Sequence, residues 1–240
     1  MINGIFSTFS GKVAAERRLD IVANNIANAF TAGFKASRPV YNGSTLDVPT
    51  DPDQVNQTYV NIPGTYVHFS DGPLVATGSP FDLAIDGSGF FVVSTPSGNM
   101  YTRDGQFTLD KDKKLVTLGG DPVMGQNGEI TINGKAVTVG SDGSISVDGV
   151  AVDKINVVDF PDKNSLKNFG QNLFVNVNTT NGEIPADKAS VKQGYYEASN
   201  VDTMKEMVDM VSAMRAYEAY TKADQAVDDS LGKLIDTVRL

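Results

Sequence analysis

Apolar residues recur with a helical period at both ends of the chain. At the N-terminus, Ile2, Phe6, Phe9 and Val13 follow spacings of 4, 3 and 4, and Ala15, Leu19, Val22 and Ile26 repeat them. Each set forms one stripe on a helix, and at about 100° per residue the second stripe is turned well over 90° from the first. A helix of that kind meets different neighbours at its two ends. Gly4 and Gly11 each weaken it by up to about 1 kcal/mol relative to Ala, so its first turns are marginal in isolation. Asn24 and Asn28 lie four apart on one face. With Asn25 they form either a polar face with a C-cap or a buried polar contact that sets register in a bundle. At the C-terminus, Met204, Met207, Val211, Met214, Tyr217 and Tyr220 lead into Ala223, Val227, Leu231, Leu234 and Val238. Ser199-Asn200 reads as the N-cap of this second helix. A helix over 202–238 is about 55 Å long, far beyond the usual helix of a compact domain. Its methionine stripe reads as core, and neither helix can bury its stripe alone, so that core is expected to be intermolecular.

Between the helices the period changes. Residues 36–70 are polar, carry four prolines and read as an extended connector with short strands at Thr58–Ile62 and Thr65–Phe69. From 71 to about 195, short apolar runs alternate with turn signals such as Asp86-Gly87, Asp104-Gly105, Asn127-Gly128, Asn133-Gly134 and Asp148-Gly149. Strands are predicted at 83–85, 90–94, 99–103, 107–110, 115–117, 129–132, 135–139, 145–147 and 155–159. Turns this frequent predict hairpins and a mainly antiparallel sheet. The stretch 120–155, rich in short Gly turns, reads as a small sub-barrel or lobe.

The fold class is therefore α+β, with N- and C-terminal helices paired as a coiled coil around a central, mainly antiparallel β-domain. The expected segments are 1–32 (first helix), 33–70 (connector), 71–196 (β-rich domain) and 197–240 (second helix).

Composition narrows the chemistry. The net charge of −9 and the lack of a dense Lys/Arg cluster argue against nucleic acid. Without Cys there are no disulfides or thiolate sites. The single His, His68, sits in no catalytic or metal motif, and no serine lies in a nucleophile elbow. The Asp-Gly pairs lack the spacing of an EF-hand loop and read as turns. Neither enzyme activity nor a metal or cofactor is expected. The N-terminus lacks the basic segment and unbroken apolar run of a Sec signal, and no apolar run is long enough to insert in a membrane. A rival of a different class is a secreted β-rich calcium-binding or enzymatic protein with helical oligomerisation arms.

Ala23-Asn24-Asn25-Ile26-Ala27-Asn28 followed by Gly33-Phe34-Lys35 resembles the N-terminal signature of the bacterial flagellar rod and hook family. Ser199-Asn200-Val201-Asp202, Glu206-Met207-Val208 and Arg215-Ala216-Tyr217-Glu218 resemble its C-terminal signature. Asp86-Gly87-Ser88-Gly89-Phe90-Phe91 and Tyr101-Thr102-Arg103-Asp104-Gly105 resemble the β-domain motifs of its longer rod members. Ala32 stands where the family usually has Pro. Chain length fits the proximal- and distal-rod branches of the family, and Asp121-Pro122-Val123-Met124-Gly125 with the compact middle resembles the proximal-rod branch more. The resemblance implies a structural subunit of the basal-body rod, its terminal helices forming an inner coiled-coil layer and its β-domain an outer one. Its implied partners are other copies of itself, neighbouring rod proteins and the flagellar type III export apparatus, and its implied place is the rod that crosses the periplasm. The residues expected at subunit interfaces are Leu19, Val22, Asn24, Ile26 and Asn28 on the first helix. On the second they are Met207, Val211, Met214, Val227, Leu231 and Leu234.

Overall fold

The computed structural model describes residues 2–46, 57–186 and 188–238, with side chains described except at 2–6, 43–46, 57–61, 231 and 234–238. The fold is α+β, with a helix at each end and strands between them. It divides into two units. The first comprises Met1–Ala27, Ser37–Tyr66 and Asp202–Leu240, and the second Asn28–Ala36 and Val67–Val201.

In the first unit, helix α1 spans Ile2–Ala27 and helix α2 spans Thr203–Val238, the latter about 54 Å long. They run antiparallel: Lys12 meets Asp224 at 3.6 Å, Arg18 meets Asp209 at 2.8 Å, and Asn25 meets Glu206 at 3.2 Å. Between them Ala14, Ala15, Val22 and Ala213 are buried. These small residues let the two backbones approach closely. Gly11 extends that close approach, because a Cβ there would overlap the Tyr220 ring. The glycine that weakens α1 by propensity is therefore a packing residue. The segment read as a connector holds a two-stranded ribbon, Ser37–Leu46 paired with Gln57–Val67. The Arg17 guanidinium donates to the Ile62 carbonyl, midway along the second strand of this ribbon.

In the second unit every strand pairing among the described residues is antiparallel. A six-stranded sheet runs in the order Leu166–Gly170, Leu173–Asn176, Gly98–Thr102, Phe90–Thr95, Val157–Asp159, Ile184–Pro185. Its Phe90–Thr95 strand is covered on both faces. Phe91 and Val93 enter one core with Leu83, Leu115 and Ile145, while Phe90 and Val92 enter a second with Val158, Phe160 and Phe174. Successive strand residues point to opposite faces, so a strand buried on both reads as an unbroken apolar run, as Phe90-Phe91-Val92-Val93 does. The second core is largely aromatic, with Phe69 set edge-on to Phe90 and Phe174 at 5.3 and 5.1 Å.

The stretch 120–155 is not a lobe of its own. It carries a three-stranded sheet, Val137–Val139, Ser144–Val147 and Val150–Lys154. Its Val123, Ile130, Ile132, Ile145, Val147 and Ile155 belong to the same core as Leu83 and Phe91. Short Gly turns bend the chain often here, but the apolar residues between them share one interior.

Candidate assembly face and the signature clusters

α2 presents two unlike sides. Glu206 and Ala213 are fully buried and Tyr217 is half-buried, on the side that meets α1. On the opposite side Met204, Met207, Val208, Val211 and Met214 are 78, 54, 67, 49 and 49% exposed. Met204, Met207, Val208 and Val211 line a shallow groove with Ser212 and Arg215. The more apolar side of the helix is thus the uncovered one, an inversion of the usual amphipathic arrangement.

The other expected interface residues fall in mixed places. Val22 is buried inside the first unit, Leu19, Ile26 and Val227 are half-buried, and Asn24 is exposed. Asn28 belongs to the second unit, where its side chain and carbonyl accept from Thr31 at 3.2 and 3.1 Å in the turn that follows α1. Leu231 and Leu234 lie in α2, but their side chains are outside the described residues.

The asparagine that periodicity did not single out is the buried one. Asn25 has no exposed surface and folds its amide onto Ser37, donating to its carbonyl and accepting from its N–H, both at 2.9 Å. It also donates to Glu206 at 3.2 Å, while Arg38 donates to the other oxygen of that carboxylate at 2.6 Å. The end of α1, the start of the ribbon and the first turn of α2 are thereby joined around one buried carboxylate. The cap of α2 is Asp202, whose side chain accepts from the Lys205 N–H at 3.1 Å. The expected cap, Ser199-Asn200, lies upstream of the helix and works elsewhere.

That place is in the second unit, where motifs from both ends of the chain converge. Lys35 and Glu197, each 1% exposed, pair at 2.5 Å, and Lys35 also donates to the Ser70 carbonyl at 2.7 Å. Glu197 accepts further from the Gly72 N–H at 2.7 Å and from Arg103 at 3.1 Å. Arg103 continues to the carbonyls of Ile85 and Gly87 at 3.3 and 2.6 Å and lies over the Phe90 ring at 5.5 Å. Burial pulls the Lys35 ammonium below its usual range, and the Glu197 carboxylate opposes that shift. Asn200 accepts from the Ala36 N–H at 2.8 Å and donates to the His68 and Ser70 carbonyls at 2.7 and 3.1 Å. Asn172 donates to the Ala32 carbonyl at 2.8 Å, at the position where the resemblance expects Pro. Gly33 has φ +65°, and a side chain there would also strike the Asp104 backbone.

Acidic side chains of the Asp-Gly pairs accept hydrogen bonds, Asp104 and Asp142 within their own turns and Asp148 across its hairpin. Asp104 accepts from the Gln106 N–H at 3.0 Å, Asp142 from the Ser144 hydroxyl at 2.7 Å, and Asp148 from the Ala136 N–H at 2.9 Å. Burial, with a smaller push from Asp82, raises Asp104 to about 6.

Three family models match this chain. The flagella basal body rod protein model covers 9–35, the flagellar hook protein FlgE/F/G D1 domain covers 84–147, and the flagellar basal body rod FlgEFG protein C-terminal model covers 192–237. Among curated proteins, the flagellar basal-body rod protein FlgF of Caulobacter vibrioides is 38% identical over 231 residues, covering 92% of each chain. The flagellar basal-body rod protein FlgG of Buchnera aphidicola subsp. Schizaphis graminum is 32% identical over 98% of this chain and 99% of its own. FlgG of Bacillus subtilis is 32% identical over the whole of both. The matched segments hold both end motifs and part of the β-rich unit between them, and the similar curated proteins are named as flagellar basal-body rod proteins. The chain belongs to the flagellar basal-body rod family, alongside the FlgF and FlgG proteins.

Proposed function

We infer that this chain is a rod subunit of the proximal, FlgF-like kind, which stacks helically with copies of itself and with neighbouring rod proteins to transmit motor torque for motility. The observation that carries this is the uncovered stripe Met204, Met207, Val208, Val211 and Met214 on a helix about 54 Å long. A long helix that leaves a row of large apolar residues facing outward is built to be covered by another subunit. In the assembled rod, α1 and α2 form coiled-coil contacts with neighbouring helices, with Leu19, Ile26, Met207, Val211, Met214, Val227, Leu231 and Leu234 among them, and Asn24 and Asn28 as polar contacts beside them. The rod crosses the periplasm, and the subunit reaches it through the flagellar type III apparatus. Among the described residues no helix is long and apolar enough to cross a membrane, which fits a shaft subunit.

The 38% identity to the FlgF of Caulobacter vibrioides supports the proximal assignment. A distal-rod role is the second reading, favoured by FlgG relatives that cover 98–100% of the chain. Immunogold position along purified basal bodies separates the two.

Val211→Asp tests the assembly face. Val211 is half exposed, so a charge there leaves the isolated fold intact, but burial of an unpaired charge in an interface costs several kcal/mol. Non-motile cells whose basal bodies lack the variant are expected. Normal swimming with the variant incorporated would remove this face from the assembly.

A further inference from the structure

We propose that the exposed methionines of α2 are a modification site for hydroperoxides, and that their oxidation to sulfoxide blocks subunit assembly. Four of the seven methionines of the chain lie between residues 204 and 214. Met204, Met207 and Met214 are 78, 54 and 49% exposed, Met210 is half-buried, and Met100 in the β-core is 2% exposed. The three exposed ones share a stripe with Val208 and Val211, on the side of the helix turned away from α1.

The chemistry is a two-electron oxygen transfer. A thioether sulfur lone pair attacks one oxygen of hydrogen peroxide, the O–O bond breaks, and the second oxygen leaves as water after proton transfer. The sulfur is oxidised and the peroxide reduced, with no other reactant. Access of peroxide to sulfur sets the rate, so exposure orders the methionines. The product replaces a soft apolar group with a strong hydrogen-bond acceptor carrying no donor of its own. Three such groups on one stripe turn an apolar face into a polar one. Buried in a subunit contact, each sulfoxide oxygen would need a donor; Val208 and Val211 provide none, and of the residues lining the groove only Ser212 and Arg215 carry one. Fold and assembly are affected separately, because Met204, Met207 and Met214 lie on the exposed side of α2 while Glu206 and Ala213 are the fully buried positions on the side that meets α1.

The inference rests on the assembly face proposed above, so the test separates the two. The full-length subunit is treated with hydrogen peroxide, its methionines are followed by peptide mass spectrometry, and self-association is followed by sedimentation. Met204, Met207 and Met214 are expected to oxidise at least about tenfold faster than Met100, given that susceptibility follows exposure. The oxidised chain should keep its circular dichroism spectrum and lose about tenfold or more of its sedimenting polymer, as expected for polar groups placed in an apolar contact. A variant with M204L, M207L, M210L and M214L should polymerise and be indifferent to peroxide. Oxidation of Met100 at the same rate, unchanged polymerisation of the oxidised chain, or loss of polymer in the peroxide-treated leucine variant would each overturn the proposal. An untreated chain that stays monomeric throughout, or V211D that polymerises normally, overturns it together with the assembly face. V211D that stays monomeric while the oxidised chain polymerises overturns the oxidation inference alone.

Discussion

Lys35 and Glu197, 162 positions apart in the chain, form an ion pair at 2.5 Å with each side chain 1% exposed. Glu197 is also the only carboxylate among the described residues that Arg103 reaches as closely as 3.1 Å. Two buried cations therefore depend on one anion. Glu197→Gln keeps the shape and removes the charge, leaving Lys35 without its paired carboxylate and Arg103 with only the more distant Asp71, at 3.7 Å. A loss of about 3–5 kcal/mol is expected, the usual result of removing one partner of a buried pair. Replacing Lys35 as well, as Met with Glu197→Gln, should recover part of that loss. Urea denaturation of the two variants checks it. If E197Q unfolds within about 1 kcal/mol of the parent, the cluster is not a structural centre.

Much of this architecture was legible in the sequence because its causes are local. A period of 3.6 marks both helices, and an unbroken apolar run marks the strand at Phe90–Thr95, buried on both faces. The hairpin between Leu166–Gly170 and Leu173–Asn176 carries no local signal, for a physical reason. Its turn residues Gln171 and Asn172 both take positive φ, 50° and 57°, without a glycine at either position to signal it. Asp148-Gly149, at φ 51° and 84°, makes the same kind of turn with the expected residues. The strand at Ser190–Gln193 was missed because its partner, Leu83–Asp86, lies more than a hundred residues upstream. The same holds for the signature motifs. Gly33-Phe34-Lys35 and Ser199-Asn200 could be recognised, but nothing local shows that they meet. Spacing likewise favoured Asn24 and Asn28 over Asn25, because a shared face is visible in sequence and a distant acceptor is not.

That convergence bears on truncation. A fragment of 71–196 lacks Lys35, Glu197, Ala36 and Asn200, and so leaves Arg103 buried without its closest carboxylate. It is expected to be markedly less stable than a fragment of 28–201. Thermal melting of the two fragments compares them directly. Equal melting temperatures would show that the cluster adds nothing to the β-rich unit.

Asn25 gives a contrast between loss and repulsion. Asn25→Ala strands the Ser37 N–H and carbonyl together with one Glu206 oxygen, at a cost of about 2–4 kcal/mol from unsatisfied buried groups. Asn25→Asp keeps an acceptor for Ser37 but sets a second carboxylate beside that of Glu206. The aspartate variant should be the worse of the two at pH 7, because like charges side by side in a buried site repel. Denaturation at pH 7 tests the order. An aspartate variant as stable as the alanine one would mean that repulsion between the two side chains carries no weight in that site.

The packing of Gly11 on Tyr220 opposes local propensity to tertiary fit. Gly11→Ala favours the isolated helix by up to about 1 kcal/mol. The added methyl overlaps the Tyr220 ring, and overpacking costs about 1–3 kcal/mol unless the ring moves. The two effects separate in a double-mutant cycle. G11A should be neutral or destabilising in the parent and stabilising by up to about 1 kcal/mol in a Y220A background, a coupling of about 1–2 kcal/mol. A coupling near zero would show that Tyr220 swings aside freely.

Asp104 makes the stability of the β-rich unit depend on pH in a stated direction. Its carboxyl is raised from 3.8 to about 6, chiefly by burial, while in the unfolded chain it titrates near the ordinary value. Between these values the folded state holds a proton that the unfolded state has released, so stability falls as pH rises from about 4 to 6. Above 6 the whole penalty is in force, on the order of 3 kcal/mol at most for a shift of about two units. Asp104→Asn removes the charge and keeps an oxygen to accept from the Gln106 N–H. The variant should therefore melt higher than the parent at pH 7.5, by an amount that shrinks steadily through pH 5 and vanishes by about pH 3.5. Melting curves of both proteins across that range give the difference directly, free of the other titrations they share. A difference that stays constant with pH would mean that Asp104 titrates alike in the folded and unfolded chains.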